Sequence, residues 1–271
     1  MSALRSRLKT KKRIIVKIGS ASLINPETDG INHERLEELV KVLVHLKRDG
    51  KDVCLVSSGA IAVGSKALGM SGKPDSLPKK QAYAAVGQAK LIQAYDMLFE
   101  EAGTMTGQVL LTAITLENSL ARANAVNTFE ELFKLGVIPV VNENDSISTE
   151  EIEQVHTFGD NDRLSALVAQ LTGADLLILL SDIDGMYTDD PKSNSDAGLI
   201  SEVEDLTDEM WGMAKGTDSK GVGTGGMSAK LAAAKIAVEN GADMLILNGN
   251  DPENIKKALA GEDIGTLFLS K

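Results

Sequence analysis

Several short stretches of this sequence combine glycine, serine, lysine and carboxylate residues in ways suited to phosphate, carboxylate or ammonium groups. The first is Val16-Lys17-Ile18-Gly19-Ser20-Ala21-Ser22. Lys17 falls within or at the end of an otherwise apolar run, where a cation is costly unless something anionic meets it. One reading is a lysine snorkelling from an edge strand. The other is a cation for a phosphoryl group, with Gly19 letting backbone amides approach it. The second stretch is Val56-Ser57-Ser58-Gly59-Ala60. Its small residues leave room for a carboxylate or phosphate at a helix N-terminus, although Ser-Ser-Gly is equally an ordinary cap and turn.

The third signal is a pair of acidic, amide-rich runs, Asn142-Glu143-Asn144-Asp145 and Gly159-Asp160-Asn161-Asp162. Clustered carboxylates repel unless cations or donors are supplied. They read either as Asx-rich turns with a helix cap or as a site for an amino group, a metal or a pair of lysines. The spacing is not that of an EF-hand. The fourth is the polar turn Ser181-Asp182-Ile183-Asp184-Gly185-Met186-Tyr187, which follows an apolar run and suits nucleotide contacts. The last is Gly221-Val222-Gly223-Thr224-Gly225-Gly226-Met227-Ser228-Ala229-Lys230. Glycines leading into a helix can cradle phosphate, and Lys230 can reach a transferring phosphoryl group. It is neither a Walker A sequence nor a dinucleotide fingerprint, and alone it reads equally well as a flexible surface loop. Its weight comes from the company of two lysines, two glycine-containing turns and an acidic cluster. A nucleophile elbow is absent. The three histidines, His33, His45 and His156, have no nucleophile beside them in sequence, which disfavours a hydrolytic triad.

The elements that must carry these stretches alternate. Arg13–Ile18, 53–56, 108–111, 137–141, 176–180, 244–247 and Thr266–Phe268 read as strands, and the wholly apolar 176–180 reads as one covered on both faces. Between them, Leu36, Leu39, Val40, Leu43 and Leu46 recur at helical spacing, with Asn32 as N-cap and Gly50 as a stop. Residues 81–102, 119–135, 163–171, 228–239 and Asn254–Leu259 also read as helical. This alternation predicts an α/β fold with a mostly parallel sheet. Ligands then collect at the carboxyl ends of the strands, where most of the stretches above fall.

Composition bounds the rest. The chain has 271 residues, 43% hydrophobic and only 3% aromatic, so its core must be aliphatic. Lys plus Arg total 28 against 39 Asp plus Glu, a net charge of -11, which disfavours nucleic acid as a partner. Against that balance the first 13 residues carry Arg5, Arg7, Lys9, Lys11, Lys12 and Arg13, and residues 1–12 read as a solvated basic extension. The single cysteine, Cys54, sits in an apolar run and reads as a core residue. No apolar run spans a membrane and no signal-peptide pattern follows the basic start, so the expected location is the cytoplasm.

Taken together the motifs resemble the amino acid kinase family. The resemblance runs from Val16-Lys17-Ile18-Gly19-Ser20 through the Ser57-Ser58-Gly59 turn, Ala84-Ala85-Val86-Gly87-Gln88, Gly107–Thr112, both acidic runs, Gly223–Lys230 and the closing Gly265-Thr266-Leu267-Phe268. It implies a three-layer αβα sandwich around a mainly parallel, roughly eight-stranded sheet. The implied domain is 13–271, with a glutamate-binding lobe over about 13–174 and an ATP-binding lobe over about 175–271. The implied activity is ATP-dependent phosphorylation of the side-chain carboxylate of L-glutamate, the first step toward proline, with Mg2+ bridging the ATP phosphates. By resemblance, Ser58, Asp145, Asp160 and Asn161 bind glutamate. Lys17 and Lys230 serve the phosphoryl group, and Asp162 orients them. Ser181, Asp182 and the loop Thr224, Gly225, Gly226, Met227, Ser228, Ala229 and Lys230 hold ATP, together with Lys17. Proline feedback inhibition and a homo-oligomer are implied as well. Many family members carry a C-terminal accessory domain, and this chain reads as a short form. The segment 148–158 matches no family motif.

Two other functions remain open at this level. One is a kinase of the same family acting on another substrate, such as N-acetylglutamate; an acylated substrate has no charged amine to meet Asp145. The other is a non-catalytic amino-acid or nucleotide sensor, for which two lysines at the phosphoryl gap are unnecessary.

Overall fold

Short β-branched and leucine-rich runs become strands in the computed structural model, which describes residues 3–25, 27–28, 30–70, 72, 74–112, 115, 117–147, 161–191, 193–218 and 226–271. The strands are β1 (Arg13–Ile18), β2 (Asp52–Val56), β3 (Thr106–Leu111), β4 (Ile138–Glu143), β5 (Leu176–Ser181), β6 (Glu202–Val203), β7 (Asp243–Asn248) and β8 (Thr266–Phe268). The helices are α1 (Ala3–Ser6), α2 (Ser20–Leu23), α3 (His33–Arg48), α4 (Ala60–Ala67), α5 (Leu77–Glu101), α6 (Ser119–Lys134), α7 (Asn161–Thr172), α8 (Asp208–Asp218), α9 (Met227–Glu239) and α10 (Asn254–Leu259). A 3-10 turn, Arg7–Thr10, follows α1. The strands form an eight-stranded sheet flanked by helices, so the expected α/β class is the one present.

The chain divides into two compact units, Ile18–Gly159 and Met1–Lys17 with Asp160–Lys271. In the first, β3, β4 and β2 are adjacent and parallel, with Gln108 opposite Val140 and Leu55 opposite Val140 on the other side. Helix α3 begins where Asn32 accepts a hydrogen bond from the Arg35 amide, and it ends before Gly50 at φ 79°. Its predicted apolar stripe is buried together with Val42 and Val44, while Glu34, Glu37, Glu38, Lys41 and His45 keep an exposed polar face. Helices α4 and α5 meet through glycines. A Cβ on Gly87 would lie 1.8 Å from the Ala60 carbonyl oxygen, and one on Gly64 would lie 1.8 Å from that of Tyr83.

In the second unit the strand order is β1-β5-β7-β8-β6. Strand β5 is parallel to β7, with Ser181 opposite Asn248. Strand β8 runs antiparallel to β7, and β6 is parallel to β8. Leu176, Leu177, Ile178, Leu179 and Leu180 are all buried, as a strand covered on both faces requires.

The structure differs from the sequence expectations at the N-terminus and in elements the patterning did not reveal, among them α1, α2 and β6. The basic N-terminus is not a solvated tail. Arg5 is fully buried, donating to the carbonyls of Ser201, Ile264 and Gly265 at 2.7–2.9 Å and pairing with Asp263 at 3.0 Å. Arg7 and Lys11 both reach the Asp243 carboxylate, at 2.9 and 2.7 Å. Local charge pattern cannot reveal partners so distant in sequence. Helix α8 is also additional. Its two glycines and sparse apolar residues dilute the periodic signal, but Thr207 accepts from the Met210 amide and acidic residues fill the first turn.

Candidate active site

Lys17 occupies the fifth position of β1, within a strand whose last five residues are all buried. It is 7% exposed. Asp162 lies in the first turn of α7, where the helix dipole favours a carboxylate, and it is 1% exposed. Lys230 lies one turn into α9, which packs against α7, and it too is buried. The three side chains converge. Lys17 Nζ pairs with Asp162 Oδ1, and Lys230 Nζ donates to Asp162 Oδ2 at 3.1 Å. Burial by itself pushes the Asp162 carboxyl up, but the Lys17 and Lys230 charges outweigh it and hold the group below the ordinary carboxylate range. One carboxylate thus sits between two ammonium groups in a poorly solvated place. That is an arrangement suited to an anion whose charge shifts during reaction.

The carboxyl end of β5 supplies the next group in the same unit. Ser181 is 7% exposed and donates to Asp182 Oδ1 at 3.2 Å. Asp182 is exposed. Asp184 is held from two sides, by Asn248 Nδ2 at 2.7 Å and the Tyr187 hydroxyl at 3.1 Å. The Asn248 partner was invisible in the sequence, since it comes from the end of β7, whereas Tyr187 lies in the same turn. Gly226 precedes α9, and Met227, Ser228 and Ala229 form its first turn, all partly exposed. Thr224 and Gly225 lie outside the described residues, as do Asp160 and the segment 148–158.

In the other unit, Ser58 precedes α4 and donates from Oγ to the Ile18 carbonyl at 3.1 Å. Strand β4 delivers the acidic run. Asn142 is buried, donating to Gln88 Oε1 at 2.9 Å while its own Oδ1 accepts from the Glu143 amide. The Asn144 amide donates to the Leu111 carbonyl at 2.8 Å, which fixes the exit of the chain into the turn carrying Asp145. Asp145 is half-buried, and burial raises its carboxyl to about 6. Such a carboxyl gains most from an incoming cation. Asn161 opens α7, next to Asp162. Among the described residues no group of three or more His, Cys, Asp or Glu side chains is arranged to hold a metal ion.

Comparison with known proteins gives a consistent picture. The sequence matches the amino acid kinase family over residues 12–248. It is 48% identical to the glutamate 5-kinase of Clostridium perfringens over 268 residues, covering 99% of each chain. It is 45% identical to the glutamate 5-kinase of Enterococcus faecalis, covering 98% of this chain and 97% of that one. Among solved structures, the UMP kinase of Ureaplasma parvum superposes with a TM-score of 0.63 at 18% identity, over 96% of this chain and 99% of its own. The isopentenyl phosphate kinase of T. acidophilum gives 0.63 at 20% identity, over 95% and 100%. At those identities the structures speak for the fold alone.

Proposed function

The chain belongs to the amino acid kinase family, and from that premise we propose how its residues carry ATP-dependent phosphorylation of the L-glutamate side-chain carboxylate. The reaction yields L-glutamyl 5-phosphate, the first step of proline biosynthesis. The observation that carries the reading is the buried Lys17–Asp162–Lys230 group.

A glutamate side chain has a reference pKa of about 4.3, so at neutral pH the nucleophile is already ionised and no general base is needed. A carboxylate oxygen forms the new bond to the γ-phosphorus, the bond from that phosphorus to the β,γ-bridging oxygen breaks, and ADP leaves with the electron pair. The obstacle is the approach of one anion to another. Lys17 and Lys230 offset that repulsion and the charge that develops on the transferring group. Asp162 keeps both ammonium groups in place; its lowered pKa keeps it ionised throughout. Ser58, Asp145, Asp160 and Asn161 bind glutamate, with Asp145 meeting the α-ammonium group. Ser181, Asp182 and residues 224–230 hold ATP. A magnesium ion carried by the nucleotide would supply neutralisation of phosphate charge.

Proline shares the α-carboxylate and a charged amine with glutamate but has no side-chain carboxylate to phosphorylate. A site gripping the shared groups accepts it without reaction, so proline competes with glutamate. Homo-oligomerisation and a cytoplasmic location complete the reading; among the described residues no helix is long and apolar enough to cross a membrane.

The test is an assay with ATP, Mg2+ and hydroxylamine, which traps an acyl phosphate as a hydroxamate. L-glutamate is expected to give hydroxamate and ADP in equal amounts, and N-acetylglutamate to give neither. Hydroxamate from N-acetylglutamate alone would reassign the substrate, and nucleotide binding without turnover would make the chain a sensor.

A further inference from the structure

The polar turn after β5 is held from beneath by a strand that contributes nothing to the reaction as described above. Strand β8 is antiparallel to β7, with Thr266 opposite Ile246. Because it is reversed relative to β7, its first residue lies toward the carboxyl end of β7, the edge where ligands collect in parallel sheets. Thr266 is fully buried. Its Oγ1 accepts a hydrogen bond from the Met186 amide at 2.7 Å and donates to the Ile200 carbonyl at 2.6 Å. Its donor and one of its two acceptor positions are therefore engaged by backbone, one bond on the turn and the other on the segment beside it. Contact is close enough that a Cβ on Gly185 would come within 2.5 Å of Thr266 Oγ1 and 3.0 Å of the Thr266 amide nitrogen. The same turn is tied at its other side by Asn248, whose Nδ2 donates to Asp184 Oδ1 while its Oδ1 accepts from the Asn250 amide at 2.9 Å.

We propose that Thr266, seconded by Asn248, is a positioning residue for ATP, setting the backbone of the 181–187 turn so that Ser181 and Asp182 present their polar groups to the nucleotide. The inference rests on the assignment of Ser181 and Asp182 to ATP. The physical basis is that a buried amide left without its acceptor is costly, so the turn relaxes toward another acceptor when the hydroxyl is removed. A shift of the turn of the order of 1 Å is enough to spoil polar contacts that depend on direction. Threonine suits the position because one hydroxyl serves both bonds while its methyl fills the strand face. Valine has nearly the same shape and keeps the packing but makes neither bond.

The experiment compares Thr266→Val, Thr266→Ser and Asn248→Ala with Ser181→Ala and Asp182→Asn, measuring kcat, KM for ATP, KM for glutamate and thermal midpoint in each. Thr266→Val is expected to raise KM for ATP about tenfold with KM for glutamate within twofold of wild type, and Thr266→Ser to restore ATP affinity. Asn248→Ala, at a partly exposed site where folding is not at stake, is expected to raise KM for ATP about threefold. If Asp182→Asn raises KM for ATP while Thr266→Val and Asn248→Ala leave it unchanged, the positioning role is overturned and the ATP assignment survives. If none of the five moves KM for ATP, both fall. Equal changes in both KM values, or a lowered midpoint with unchanged KM values, would reduce Thr266 to a structural residue and overturn the proposal. Should Thr266→Val fail to fold, Asn248→Ala and Thr266→Ser decide the matter: an Asn248→Ala enzyme with wild-type ATP affinity overturns it.

Discussion

At the scale of single residues, the two lysines and the carboxylate between them make separable demands. If Lys230 acts on the transferring phosphoryl group as proposed, Lys230→Ala should lower kcat roughly 10²-fold or more, with Lys17→Ala behaving similarly. Steady-state kinetics at saturating substrates check this, and near-wild-type turnover excludes the role. Asp145 makes a prediction about pH. Its carboxyl, raised to about 6 by burial, must be ionised to meet an ammonium group. Glutamate itself is ionised above about pH 5. The KM for glutamate should therefore rise about tenfold per pH unit below 6, with KM for ATP little affected. Asp145→Asn should raise KM for glutamate at least about tenfold at neutral pH and abolish the acid limb, which pH profiles of kcat/KM on both proteins would reveal. For the ligand-free fold the sign is the reverse of the usual carboxylate. The folded value exceeds the ordinary 3.8, so this group contributes stability at low pH that is lost as pH rises through about 6. On the proposed role of Asp145, glutamate binding and fold stability pull the same carboxyl in opposite directions.

At the scale of elements, the turn bearing Ser58 depends on how α4 sits on α5. The two helices approach until a Cβ on Gly87 would collide with the backbone oxygen of Ala60, the first residue of α4 and two positions after Ser58. A backbone atom cannot swing aside as a flexible side chain can, so the helices must separate to admit a methyl group. Gly87→Ala should cost about 1–3 kcal/mol or more, read as a lower urea midpoint with an unchanged denaturant slope. Because separation moves the start of α4, KM for glutamate should rise in the same variant. A variant as stable as wild type would mean that the helices yield more easily than their backbone contact suggests. The complementary element is β4. All six of its residues are buried, and it carries the chain directly from the core into Asn144 and Asp145. Placing functional groups one step beyond a rigid buried strand limits their freedom without spending extra side chains on support.

On the scale of the whole molecule, the acidic balance and the basic N-terminus answer one another within a single unit. Asp243, fully buried in β7, receives Arg7 and Lys11 from the first residues and also accepts from the Ser270 amide and hydroxyl at 2.8 Å. Arg5 adds its fork of donors to the carbonyls around β8. The start of the chain therefore straps its end, and the strap reaches the Gly265 carbonyl beside Thr266. Arg5→Ala removes the guanidinium donors from the Ile264 and buried Gly265 carbonyls and the cation beside Asp263, and should destabilise the fold by about 2–4 kcal/mol. Arg5→Lys should recover only part of this, since a point charge cannot reproduce the planar fork. Equilibrium urea denaturation of both variants checks the order; equal stability of wild type and Arg5→Ala would return the N-terminus to the status of a solvated tail.

Local patterning sufficed for the strands and most helices because their signals are short-range. The aliphatic runs of β1, β5 and β7 and the 3.6-residue stripe of α3 needed no distant partner to be recognised. The same holds for chemical character: Lys17 stood out as a cation in an apolar run, Asp145 and Asp162 as members of clustered acidic runs, and Lys230 as the lysine that follows a glycine-rich loop. What compensates them is a matter of chain folding. That one carboxylate, Asp162, receives both Lys17 and Lys230 depends on α7 packing against α9 beside β1, and nothing in the spacing of the three residues encodes it. The reversal of β8 is likewise undetermined locally, since a three-residue apolar strand reads the same in either direction, yet it alone brings Thr266 to the edge where the β5 turn emerges. Arg5 is the sharpest case. A cation in a basic run looks solvated until carbonyl oxygens more than 190 residues away in sequence take up its donors. Composition and period decided which segments are buried and which residues are reactive; long-range pairing decided which of them meet, because contact free energy depends on neighbours in space that no local window contains.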